Sequence, residues 1–102
     1  MQRIENLRGQ TALFVFDIEF VGDVRDITSC FIWEIAVTSV ISGATFMAVV
    51  DPDPSVQEFP EPPIPEIPRL TRDFLKKHRA KTWADVFTEF REWVQHLSLI
   101  HI

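Results

Sequence analysis

Ala12-Leu13-Phe14-Val15-Phe16-Asp17-Ile18-Glu19-Phe20 is the stretch on which the reading of this chain turns. Seven apolar residues surround two carboxylates, and no glycine or proline interrupts them. Such a run, rich in Phe, Val and Ile, predicts a strand buried on both faces at the centre of a sheet. Alternation puts Phe14, Phe16, Ile18 and Phe20 on one face and Leu13, Val15, Asp17 and Glu19 on the other. The two carboxylates therefore project from the same side, their backbone positions roughly 6–7 Å apart. An ionised carboxylate in apolar surroundings is costly unless it is paired or bound to a cation, and a second one beside it raises the cost. Hard oxygen ligands of this kind suit Mg²⁺ or Mn²⁺. Two such ions about 3.5–4 Å apart stabilise the attacking and leaving oxygens in phosphodiester hydrolysis. The plainer alternative ends the strand near Asp17 and leaves both groups solvated, or paired with Arg25 or Arg72.

Outward from this strand, Gly22 and the polar stretch Asp23 to Ser29 break the run. A second strand is expected over about 30–40, rich in β-branched residues, and a third over about 44–51, with Ser42-Gly43 as the hairpin turn between them. Short connections make this a three-stranded antiparallel meander, with the first strand at about 12–20. Residues 52–68 hold all seven prolines and no glycine, so they read as an extended connector with polyproline-like pieces; a proline-motif ligand for a partner domain is the lesser alternative. Thr71 caps a short helix over about 71–77. Thr82 caps a longer covering helix over about 82–96, whose Trp83, Val86, Phe87, Phe90, Trp93 and Val94 recur on one helical face as core. A further strand, parallel to the first, is expected after this order of elements.

The chain has 102 residues, 46% hydrophobic and 25% charged, with a net charge of −5 and one cysteine. This allows a single α/β unit with a packed core. There is no apolar run long enough to cross a membrane, and the start, Met1 to Gln10, has no apolar h-region of a secretory signal. Cys30 alone excludes an internal disulfide framework and suits a reducing, intracellular, cytoplasmic setting; it reads as a small buried apolar residue. The acidic balance argues against a nonspecific polyanion binder, but not against a nuclease whose metal ligands are carboxylates. Six of the ten basic residues fall in 69–81, where Arg72 and Lys76 are candidates to hold nucleic-acid phosphates; a solvated, charged connection is the alternative. Glu34, inside the second strand, either sits beside the carboxylate pair or faces solvent. The last six residues, Leu97 to Ile102, back-translate as CTG TCT CTT ATA CAC ATC, the transposon end used as a sequencing adapter. They read as an adapter-derived tail that does not continue the preceding pattern, with residues 1–96 as the amino-terminal part of a longer domain.

Phe16-Asp17-Ile18-Glu19 followed by Gly22, then Trp33-Glu34-Ile35-Ala36-Val37, Phe46 to Pro52, Leu70-Thr71 and the capped helix, resembles the DEDD (DnaQ-like) 3′–5′ exonucleases. The resemblance covers about residues 11–95. It implies an α/β, ribonuclease H-like fold and Mg²⁺ or Mn²⁺ as a pair of ions. Asp17 and Glu19 are implied as catalytic metal ligands, with Asp17 bridging both ions. Phe20 and Val21 would meet the terminal nucleotide of a single-stranded DNA or RNA 3′ end, Phe20 standing where family members often carry Thr. The family also needs two later aspartates and a His or Tyr base. Asp73, Asp85, His78, His96 and His101 do not match those positions, so the expectation is a fragment with the first motif only, inactive by itself. The alternatives are a noncatalytic ribonuclease H-like interaction module using the proline loop, and the exonuclease domain of a family B DNA polymerase.

Overall fold

A computed structural model describes residues 2–5, 11–23 and 25–100 of the chain. The long apolar stretch forms a strand of eleven residues, β2 (Thr11–Val21). It lies in a four-stranded sheet of order β1-β2-β3-β4, with β1 (Gln2–Glu5), β3 (Phe31–Ser39) and β4 (Thr45–Val49). Every pairing is antiparallel. The expected meander is thus present and is extended by β1, a fourth strand that the sequence reading omitted. Four residues with one apolar member carry too little periodicity to announce themselves; pairing with Thr11–Phe14 organises them.

Two apolar clusters lie on opposite faces of the sheet, as the parity of β4 demands. Phe46 packs with Phe14, Val37 and the second helix, whereas Val49, three residues on, packs with Val21, Phe59, Leu70 and Leu75. Residues an odd number apart on a strand point to opposite sides. On the first face lies α2 (Trp83–Ile100), which lays Phe90, Trp93, Val94 and Leu97 across the sheet. Its rings meet Phe14, Phe16 and Phe46 at centroid distances of 5.6–6.1 Å, inside the range for favourable aromatic pairs. The opposite face carries α1 (Arg72–Lys77) and the proline-rich connector, seated on Val21, Phe31, Trp33 and Val49.

Both helices begin as their capping residues predict. The Phe74 amide donates to Thr71 Oγ1 at 3.1 Å and the Asp85 amide to Thr82 Oγ1 at 3.2 Å, satisfying first-turn donors that have no partner within the helix. Two expectations for α2 change. Phe87, assigned to the core face, is 57% exposed and stacks on Trp83 at 5.3 Å, while its neighbour Val86 is fully buried. The helix also continues beyond residue 96, through Ile100, and Leu97 is buried in the cluster of Phe14 and Val37. Leu97 does follow the pattern, since Phe90, Trp93, Val94 and Leu97 keep the spacing of one helical face. His101 and Ile102, the end of the proposed tail, lie outside the described residues. Among the described residues no helix is long and apolar enough to cross a membrane.

Two backbone positions near the carboxylate face have strong residue requirements. Gly22 turns the chain out of β2 at φ +117°, where an added Cβ would lie 2.3 Å from the Ser29 carbonyl oxygen. Helix α1 ends in a Schellman arrangement: the Arg79 amide donates to Lys76 O at 3.1 Å and the Ala80 amide to Leu75 O at 2.9 Å. The residue in the left-handed position of that motif is Arg79, at φ 53°, where glycine is usual. Opposite effects are expected in chemical denaturation. Gly22→Ala should destabilise the fold by at least about 1 kcal/mol, whereas Arg79→Gly should stabilise it by about 1 kcal/mol.

Candidate carboxylate site on the open face of the sheet

Register places the carboxylates. Asp17 lies opposite Ala36 and Glu19 opposite Glu34; those partners continue to Met47 and Val49 on β4. Asp17, Glu19 and Glu34 therefore share the face on which Val49 and α1 lie. The strand does not end at Asp17, as the plainer alternative held: β2 keeps its pairing with β3 to Val21. Nor is it buried on both faces. Asp17, Glu19 and Val15 are exposed, and on the α2 side Ile18 is 43% and Phe20 39% exposed, because α2 crosses above Phe14 and Phe16 rather than above the far end of the strand.

The pairing register shifts between Glu19 and Phe20, so that Trp33 is one extra residue on β3. Such a bulge re-aims the side chains beside it. Trp33 turns onto the carboxylate face, where its ring meets Phe74 of α1 edge-on at 5.3 Å. The site is thus bounded at one end by α1 while its floor, the Asp17–Ala36–Met47 row, stays open; Met47 is exposed.

Glu19 and Glu34 stand directly across from one another, an unfavourable cross-strand arrangement for two like charges. Neither expected arginine relieves it. The Arg25 guanidinium binds Asp23, with Nε donating to Oδ1 at 3.0 Å and Nη2 to Oδ2 at 2.9 Å, and these hydrogen bonds hold the Asp23 carboxyl below its ordinary range. Arg72 is used within its own neighbourhood. Nη1 donates to Asp51 Oδ2 at 2.5 Å, Nε to the Val56 carbonyl at 2.5 Å and Nη2 to the Asp53 carbonyl, and the guanidinium lies 5.0 Å from the centre of the Phe59 ring. Among the described residues, no cation is within ion-pair distance of Asp17, Glu19 or Glu34. Nor does any set of three or more His, Cys, Asp or Glu converge to hold a metal.

The other sequence candidates separate. Phe20 remains accessible at the end of β2, while the Val21 side chain is buried in the cluster with Phe59, Leu70 and Leu75. Alternation along β2 puts Val21 on the carboxylate side, where Phe59, Leu70 and Leu75 cover it, so its side chain is not available to a nucleotide. Arg72 holds the proline connector to Asp51 through Nε, Nη1 and Nη2. Lys76 is exposed on α1. Cys30 is half-buried, its Sγ 3.2 Å from the Asp23 carbonyl oxygen. Glu34 gains a definite position that its sequence did not specify, because only the pairing register tells which β3 residue faces Glu19.

Removing Arg72 tests its structural role. Arg72→Met would leave the partly buried Asp51 carboxylate and two carbonyls without their donor, and should lower stability to urea by about 2–3 kcal/mol. Asp17→Asn, which removes an exposed like charge, should leave stability within about 0.5 kcal/mol of the parent or raise it.

Compared with protein-family models, with curated proteins and with solved structures, the chain finds no match.

Proposed function

We propose that this chain supplies the first metal-binding motif of a DEDD (DnaQ-like) 3′–5′ exonuclease, on a ribonuclease H-like sheet, acting on single-stranded DNA or RNA ends. The observation that carries the reading is the pair Asp17 and Glu19. They project from one open face of β2, with Glu34 across from Glu19 and, among the described residues, no cationic side chain within ion-pair distance. A surplus of negative charge on an accessible sheet face is the electrostatic condition that a divalent cation relieves.

The donor set fits Mg²⁺ or Mn²⁺ in chemistry, being hard carboxylate oxygen. In number it is incomplete, so the reading requires further ligands from outside this set, in keeping with a chain that carries one motif of several. When bound, the ions would activate water and stabilise charge on the phosphoryl oxygens. The chain's own part is to hold two carboxylates at a spacing set by the strand, with Phe20 beside them as an accessible ring. A further support is the edge of β2: β1 pairs only with Thr11–Phe14, and among the described residues no strand pairs with Val15–Val21 on that side. The reading expects a parallel strand there.

A second reading, a noncatalytic interaction module, draws on the proline connector. Its turn at Ile64–Ile67, closed by the Ile67 amide donating to Ile64 O at 3.2 Å, leaves both isoleucines exposed. Manganese titration followed by electron paramagnetic resonance separates the two readings. The exonuclease reading expects Mn²⁺ binding that Asp17→Asn combined with Glu19→Gln abolishes. In the full-length protein, where this reading puts the remaining ligands, Asp17→Ala should slow Mg²⁺-dependent digestion of labelled single-stranded 3′ ends at least about 100-fold. Unchanged digestion refutes the assignment.

A further inference from the structure

We infer that the basic end of α1 is a docking site for the phosphodiester backbone of a single-stranded nucleic acid, with Lys76 and Arg79 as phosphate contacts and Lys77 as an outer one. The inference rests on the nucleic-acid reading above and names where the strand is held away from the carboxylates.

Charge is strongly segregated along this chain. Residues 69–81 hold six cations and one carboxylate, in a protein whose net charge is −5. Three of the six are committed: Arg69 to Glu61 at 3.7 Å, Arg72 to Asp51 at 2.5 Å, and Lys81 to Glu89. Lys76, Lys77 and Arg79 have no carboxylate within ion-pair distance among the described residues. Two of these three line a cleft of about 400 Å³, together with Asp51, Arg72, Asp73 and Leu75. Because Asp51 and Arg72 neutralise one another, Asp73 is the one remaining carboxylate facing Lys76 and Arg79, and the cleft is left positive.

Arg79 adds an observation independent of charge counting. It occupies the left-handed position of the α1 stop, which glycine fills without strain. Lys76 and Lys77 already supply the cations that favour a helix C-terminus, whereas Arg79 stands beyond the helix and lines the cleft. The cleft helix is also on the correct side of the sheet. Phe74 of α1 rests on Trp33, the residue before Glu34, and Glu34 faces Glu19. A strand whose terminal phosphodiester lies at Asp17 and Glu19 can therefore pass toward α1 without crossing the sheet.

The test is fluorescence anisotropy of a 5′-labelled oligothymidylate about 12 nucleotides long, in EDTA, over a series of salt concentrations. Each single-strand phosphate contact contributes about 0.7 to the slope of log affinity against log salt. Arg79→Gly and Lys76→Gln should each weaken binding and lower that slope by about 0.7, while Asp17→Asn with Glu19→Gln should leave the slope unchanged. Arg79→Gly removes the charge and also relieves the backbone, so lost binding in that variant does not come from unfolding. Affinity and slope unchanged in both α1 variants would overturn the site. So would displacement of the oligonucleotide by polyglutamate at equal charge concentration, which would reveal an acidic-protein site instead. If the slope falls as expected but Asp17→Ala leaves Mg²⁺-dependent digestion by the full-length protein unchanged, the docking site stands and the exonuclease reading fails.

Discussion

Strand β2 has to satisfy two environments at once, and the rest of the structure is arranged around that constraint. Its backbone alternates with period two, so Phe14 and Phe16 enter the aromatic layer under α2 only if Val15, Asp17 and Glu19 turn the other way. A slip of one residue would place carboxylates against Phe90 and Trp93 and expose the phenylalanines. Burial on the α2 side thus holds the carboxylates on the opposite, open side, and the energy that fixes their direction comes from the apolar residues between them.

Once the face is assigned, α1 and the proline connector decide how the site is bounded. The connector spans residues 52–68 with little regular hydrogen bonding of its own, and a free loop of that length would be costly to order. Seven prolines reduce that cost by restricting the unfolded chain. Phe59 anchors its middle and Leu70 the chain just past it in the Val21 cluster, and Arg72 ties Asp51, Asp53 and Val56 together. The result holds α1 against Trp33, so that unpaired cations and unpaired carboxylates end up on the same side of one sheet. Opposite charges kept apart on a common surface form a field suited to a long anionic ligand reaching a cation-dependent centre.

Several features were legible in the residues themselves. The strand character of 12–20, the two hairpin partners, the threonine caps and the helical face of Phe90, Trp93 and Val94 follow from period and capping chemistry, and all are present. The same-side placement of Asp17 and Glu19 follows from alternation alone. The errors are equally physical. Leu97 keeps the helical spacing and is buried, and Phe87 stands outside the core because periodicity reports a face but not which of its residues the packing covers. Arg72, a candidate phosphate contact, proves to bind Asp51 and the connector, because charge in a sequence carries no record of its partner.

The sequence alone determined which residues alternate, where helices begin and that two carboxylates share a side, because these depend on bond geometry and on neighbours within a few residues. Tertiary structure alone decided that Glu34 faces Glu19, that the bulge turns Trp33 toward α1, that Phe59 and Leu70 cover Val21, that Arg72 is occupied, and that Arg79 closes the helix in a strained conformation. Each of these depends on the register or packing of segments distant in the chain. Register is selected by the summed burial of whole faces, a quantity that no local stretch contains.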